Sequence, residues 1–277
     1  MTTIRQPAVA GTFYPARPDD LRRMVHEFVD TAVSTPPLPT LPKAIIAPHA
    51  GYIYSGPIAG AAYAALRPFA SHYERVVLLG PAHTMPVSGL AAPNAAAFRT
   101  PLGEVLLDRV ALDKILALPQ VRVLDAAHAR EHGLEVHLPF LQTVLGAFKL
   151  VPLVVGDVTP EEVTAVLDLL WGGPETLIVI SSDLSHYHDY ATAQALDAAT
   201  AQAIEQLNPA GLGRESACGR RPIQGLLLAA RQRDLTAHRL DLRNSGDTAG
   251  RKDRVVGYGA WVFTRFFGNS GVTIHEA

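Results

Sequence analysis

The sequence predicts an α/β layer fold, on three observations. Short β-branched apolar runs lack alternation, as strands covered on both faces do. Helical stretches lie between them. Three of the runs end in small, polar and then ionisable residues, which is where ligands gather beyond the carboxyl ends of parallel strands.

In chain order, an early helix is expected over about Asp19–Val33, then a stiff connector, Thr35-Pro36-Pro37-Leu38-Pro39-Thr40-Leu41-Pro42. The first core strand is Lys43–Ala47, followed by Pro48-His49-Ala50-Gly51-Tyr52. Arg75–Leu79 is followed by Gly80-Pro81-Ala82-His83, Leu150–Val155 by Gly156-Asp157, and Leu177–Ile180 by Ser181-Ser182-Asp183-Leu184-Ser185-His186. Helices are expected at Ile58–Leu66, Arg109–Leu116, Glu135–Leu145, Pro160–Leu170, Thr192–Gln206 and Ile223–Arg231. Val255–Phe263 reads as a late antiparallel strand, and Val105–Leu107 as a segment pairing near an edge. The connector is short and what precedes it is small, so residues 1–277 are expected to form a single domain.

Composition narrows the function. A chain of 277 residues buries enough surface to need no disulfide staple. Its single cysteine, Cys218, rules out an intramolecular disulfide and a cysteine-only zinc site. The formal net charge of −2 gives no field to draw nucleic acid or an anionic membrane. No secretory signal opens the chain and no apolar run approaches membrane-spanning length, so a cytoplasmic location is expected, with Cys218 kept as a thiol. Phosphate-binding glycine loops and the serine-hydrolase elbow are absent.

The chemistry gathers at the strand ends. His49 and His83 stand 34 residues apart, and Asp183 another 100 on, yet the fold would bring their loops to one edge. Neutral imidazole suits iron, copper and zinc alike, although each histidine alone could simply fix its loop through a neighbouring carbonyl. Asp183 and His186 share a face if their turn is helical, and Asp183 could instead cap a helix after Ser181-Ser182. Cys218 precedes a helix and neighbours Arg220 and Arg221, which predicts a lowered thiol pKa; a small buried hydrophobe is the alternative. In His128-Ala-Arg-Glu131-His132-Gly-Leu-Glu135-Val-His137, the spacing of His132 and His137 forbids chelation from one helix face. A supporting role, orienting ligands by hydrogen bonding, is expected there.

Five segments resemble the Memo family, the mediator-of-cell-motility proteins whose prokaryotic members are called AmmeMemoRadiSam system protein B. They are Arg5-Gln-Pro-Ala-Val-Ala-Gly-Thr-Phe-Tyr-Pro15, Pro48-His-Ala-Gly-Tyr-Ile-Tyr-Ser-Gly56, Leu79-Gly-Pro-Ala-His83, Glu131-His-Gly-Leu-Glu-Val-His-Leu-Pro-Phe140 and Ser181-Ser-Asp-Leu-Ser-His-Tyr187. Asn244-Ser-Gly-Asp247 and Val255-Val-Gly-Tyr-Gly259 fit its C-terminal part. The family in turn resembles class III extradiol dioxygenases. The resemblance implies a three-layer, LigB-like sandwich on a mostly parallel or mixed sheet. It implies metal ligands His49, His83 and Cys218, with His186 as base and Asp183 beside it. Tyr52, Tyr54, His132, Glu135 and His137 would line the pocket or orient ligands. Iron is the first expectation for the metal, with copper or zinc as alternatives, because thiolate replaces the dioxygenase carboxylate. The function implied is a dioxygenase-like oxidoreductase acting on a small molecule or peptide, or else a metal carrier or scaffold without turnover. AMMECR-type and radical SAM proteins are the implied partners.

Overall fold

The computed structural model describes residues 3–32, 38 and 40–265. Its strands are β1 (Ile4–Arg5), β2 (Ala44–Ala47), β3 (Arg75–Pro81), β4 (Leu90–Ala92), β5 (Ala97–Thr100), β6 (Gly103–Leu106), β7 (Val121–Val123), β8 (Lys149–Val155), β9 (Thr176–Ser181), β10 (His186–His188), β11 (Leu235–Asn244) and β12 (Val255–Arg265). Its α-helices are α1 (Pro18–Asp30), α2 (Tyr52–Ala64), α3 (Arg109–Ile115), α4 (Asp125–Ala129), α5 (His132–Glu135), α6 (Leu138–Leu145), α7 (Pro160–Leu170), α8 (Tyr190–Glu205) and α9 (Arg220–Arg231).

The main sheet runs β10-β12-β2-β9-β3-β8-β4-β7, with β11 on the outer side of β12. At its centre β2, β9, β3 and β8 are parallel, while β12 lies antiparallel against β2. Every residue of β2 and β9 is buried, as expected of non-alternating strands covered on both faces. The chain moves from β2 through α2 to β3 in one direction along the sheet, and from β8 through α7 back to β9 in the other. Right-handed crossovers therefore place these two helices on opposite faces. Helices α1 and α6 pack with α2, and α9 packs with α7, which completes the three-layer sandwich.

The differences from expectation are local. Helix α2 begins at Tyr52, not Ile58, and so carries Pro57 inside it. Proline there forfeits the bond to the carbonyl of Ile53, and Ile53 is exposed, so water can replace it. The helix expected over residues 135–145 splits into α5 and α6, with Pro139 in the first turn of the second. Residues 103–106 join β1 and β5 in a separate three-stranded sheet. No helix follows Ser181-Ser182: Asp183 lies in the link between β9 and β10, so it caps nothing, and the helical face shared with His186 does not form. The connector over residues 35–42 and the end of the first predicted helix lie partly outside the described residues.

Candidate metal centre

Strand order assembles the site. Because β9 lies between β2 and β3, with Ala47 opposite Ser181 and Leu79 opposite Ile180, His49, Asp183 and His83 emerge from three adjacent strand ends. The backbone N–H of His49 donates to Asp183 Oδ1 at 2.7 Å, pinning the first loop to the second.

Each imidazole is held from behind. Ser181 Oγ donates its only proton to the Gly133 carbonyl, so toward His49 Nδ1, 2.6 Å away, it acts as acceptor. His49 therefore carries its proton on Nδ1 and presents the lone pair of Nε2. Glu131 Oε1 lies 2.7 Å from His83 Nδ1 and Oε2 accepts the His83 backbone N–H at 2.8 Å. This carboxylate–histidine arrangement likewise frees His83 Nε2. Glu131 is fastened further by the N–H of Gly133 at 2.8 Å.

The rings of His49 and His83 lie 4.9 Å apart, edge to face, and His132 stacks on His83 at 4.5 Å. One nitrogen from each of His49, His83 and His132 falls within a 4.8 Å sphere of mutual distances, a group able to hold a metal ion. His132 thus joins the cluster itself, where the sequence suggested a supporting role. Cys218 Sγ lies 3.3 Å from His49 Nε2 and accepts the Asp183 N–H at 3.3 Å. The thiol is the natural donor to that nitrogen.

Burial sets the charge states. His49 is held well below its ordinary pKa by burial, and next by the neighbouring His83. Burial lowers His132 and His186 too. The Asp183 carboxyl is pushed up to about 7 by burial, against the pull of the His49 N–H. Cys218 corrects the sequence reading: burial, then the charge of Asp183, push its thiol up to about 12. The residue precedes the helix cap Gly219 and is tied to the end of β9, so the helix terminus does not compensate for lost solvation.

A cavity of about 980 Å³ opens on this rim, lined by His49, His83, His132, Asp183 and His186, with Tyr54 and Tyr258 among its walls. Three other expected pocket residues stand away from it. Tyr52 is packed against Phe140 in the core, its hydroxyl donating to the Val136 carbonyl at 2.6 Å. His137 is buried with Nδ1 2.7 Å from the Tyr63 hydroxyl. Glu135 grips the N-terminal segment through the Arg5 guanidinium, the N–H groups of Ala8 and Val9, and the Tyr14 hydroxyl. These corrections share one cause: the side chains point away from the rim, those of Tyr52 and His137 into the layer of α2 and α6 and that of Glu135 onto the N-terminal segment, a direction that spacing alone does not reveal. Ser181 and Glu131, which orient the two imidazoles, were absent from the predicted site. Both lie inside quoted motifs, but their partners are remote in sequence. Among the described residues, no helix is long and apolar enough to cross a membrane.

The sequence profile of the family described as Memo-like protein matches residues 5–262. A MEMO1 family protein of Methanopyrus kandleri is 37% identical over 282 residues, covering 94% of this chain and 99% of its own length. One of Aquifex aeolicus is 37% identical over 284 residues, covering 94% and 99%. One of Sulfolobus acidocaldarius is 34% identical over 277 residues, covering 92% and 97%.

Proposed function

The chain belongs to the Memo-like protein family, and from that premise we propose that it is a metal-dependent, dioxygenase-like oxidoreductase whose ion is held by His49, His83 and Cys218. The observation that carries the reading is the pair of fixed tautomers: Ser181 and Glu131 each occupy an Nδ1, leaving both Nε2 atoms as donors at one rim. Two donors on one tetrahedral ion stand about 3.6 Å apart when one is nitrogen and one sulfur. The 3.3 Å between His49 Nε2 and Cys218 Sγ is close to that spacing. His132 then serves as a wall of the cavity. The mixed nitrogen and thiolate set fits iron(II), and equally copper(I) or zinc. Once bound, the ion would supply Lewis-acid chemistry and, if redox-active, electron transfer.

The remaining roles belong to the chain. The cavity holds a small molecule against the rim, between Tyr54, Tyr258 and His186. His186, half-buried and so biased toward its neutral form, takes a proton from that ligand at an imidazole nitrogen. Asp183 keeps the loops of His49 and Cys218 together through its backbone N–H and its carboxylate.

Anaerobic titration with iron(II), copper(I) and zinc tests the ligand set. One ion per chain is expected in the wild type and in His132→Ala, and loss of it in His49→Ala and Cys218→Ser. Unchanged stoichiometry in the last two refutes the site. Oxygen uptake with catechols as probes separates turnover from carriage. The volume of the cavity beside the rim favours turnover, since a carrier has no use for so large a ligand space.

A further inference from the structure

The rim has a second flank. Beyond the ends of β3 and β8 lies another cavity, of about 680 Å³, which His83 and Cys218 also line. Its character differs from that of the tyrosine-walled cavity. Arg214, Arg220 and Arg221 face it, and Asp157 is the one acidic residue among its lining. Asp157 is already engaged: it pairs with Arg221 at 2.5 Å, and the other arm of that guanidinium donates to the Val158 carbonyl. Among the described residues, neither Arg214 nor Arg220 has an ion pair or a side-chain hydrogen bond. Two cations are thus left uncompensated in one concavity of a chain whose net charge is −2.

Such a cluster is costly without a counter-ion. Arg220 is partly buried and shares the cavity with Arg214 and Arg221, like charges that repel one another. The arrangement is nonetheless rigid. Arg220 and Arg221 form the first turn of α9, and the residues just before are tied down: Cys218 N–H donates to the Asp183 carbonyl at 3.2 Å, and Gly219 N–H to Ser182 Oγ at 2.9 Å. A Cβ on Gly219 would come within 2.5 Å of the Ser181 carbonyl, so this segment is pressed onto the end of β9. The backbone that carries Arg220 and Arg221 is thus held at a fixed place beside the candidate ligands, and Arg214 faces the same cavity from an exposed turn.

We propose that this cavity binds a dianionic oxyanion, the phosphate group of a small phosphorylated molecule, through Arg214 and Arg220. Two unpaired guanidiniums balance two negative charges, and the planar fork of each matches paired phosphate oxygens. The cavity is far larger than a bare phosphate, and His83 and Cys218 stand in its wall, so the rest of the molecule extends to the rim. The statement about which end reaches the rim rests on the metal-centre reading; the anion contact does not.

The test uses the full chain, metal-free, at low ionic strength. Inorganic phosphate, glycerol phosphate and acetate are titrated calorimetrically against the wild type, Arg214→Ala, Arg220→Ala, Arg220→Lys and the exposed control Arg22→Ala. Saturable binding of both phosphates is expected. It should weaken about tenfold or more in each alanine variant, partly recover in Arg220→Lys, and stay unchanged in Arg22→Ala. Absence of saturable phosphate binding in the wild type, or equal affinity across all variants, overturns the proposal. Acetate binding as tight as phosphate overturns the assignment to a dianion. Melting temperatures accompany each titration, and Arg214→Ala, in an exposed turn, decides the matter if Arg220→Ala does not fold. His49→Ala separates the two readings: it should keep phosphate binding whether or not metal uptake is lost.

Discussion

Glu131→Gln is the most telling single change. Glu131 is 1% exposed and accepts three hydrogen bonds: from His83 Nδ1 at 2.7 Å, His83 N at 2.8 Å and Gly133 N at 2.8 Å. Glutamine offers one oxygen where the carboxylate offers two. If that oxygen stays with His83 Nδ1 and Gly133 N, the amide NH2 meets the His83 backbone N–H, donor against donor. If the amide turns over, NH2 faces His83 Nδ1 and forces the proton onto Nε2, which removes the donor the ion needs. Either outcome weakens the centre. Loss of such an orienting partner costs about 10–100-fold in metal affinity, or about 1.4–2.7 kcal/mol. An unmatched buried donor adds about 1–3 kcal/mol of lost folding stability. Zinc competition against a chromophoric chelator reads the first quantity, and urea unfolding of the metal-free protein reads the second. A folded Glu131→Gln protein with zinc affinity within about twofold of wild type would refute the assignment of Glu131 as the group that sets His83.

Glu135→Gln should behave oppositely, with a stability loss of about 3–5 kcal/mol from the broken buried pair with Arg5 and little change in zinc affinity; a large affinity loss in a folded variant would put Glu135 back in the site. Gly219→Ala introduces a Cβ 2.5 Å from the Ser181 carbonyl and 2.6 Å from Ser182 Cβ, so a loss of about 1–3 kcal/mol in unfolding measurements is expected, together with weaker metal binding through displaced Cys218. Stability should fall on acidification. Burial lowers His128 to about 4 and His137 to about 3, from 6.5. Both are neutral in folded and unfolded chains above pH 6.5; below it the unfolded chain gains protons the fold refuses. Each histidine then withdraws up to about 1.4 kcal/mol per pH unit until its folded pKa is reached. A flat urea midpoint between about pH 7 and 5 would contradict their burial as neutral groups.

The legible parts of the fold were those fixed by local physics. Lys43–Ala47, Arg75–Leu79 and Leu177–Ile180 read as doubly covered strands, and they are. His49, His83 and Asp183 were visible because each follows such a strand closely. That they meet depends on β9 inserting between β2 and β3, which no stretch of sequence records. Cys218 shows the opposite failure. Its neighbours Arg220 and Arg221 suggested a thiolate, but they face the cavity that Cys218 borders while the sulfur packs against Asp183, and burial outweighs them. Glu135, His137 and Tyr52 are the right residue types in the right segments, turned toward the core instead of the cavity.

The placement of β12 bears on how the protein is made. This strand, beginning at Val255, closes the edge of β2, the strand that delivers His49. Until residues 255–265 have been added, that edge stands open, with its N–H and C=O groups ready to pair with another nascent polypeptide. Metal loading during synthesis would therefore meet an unfinished pocket, and a chain cut short before Val255 would be left with an adhesive border where the mature protein has none.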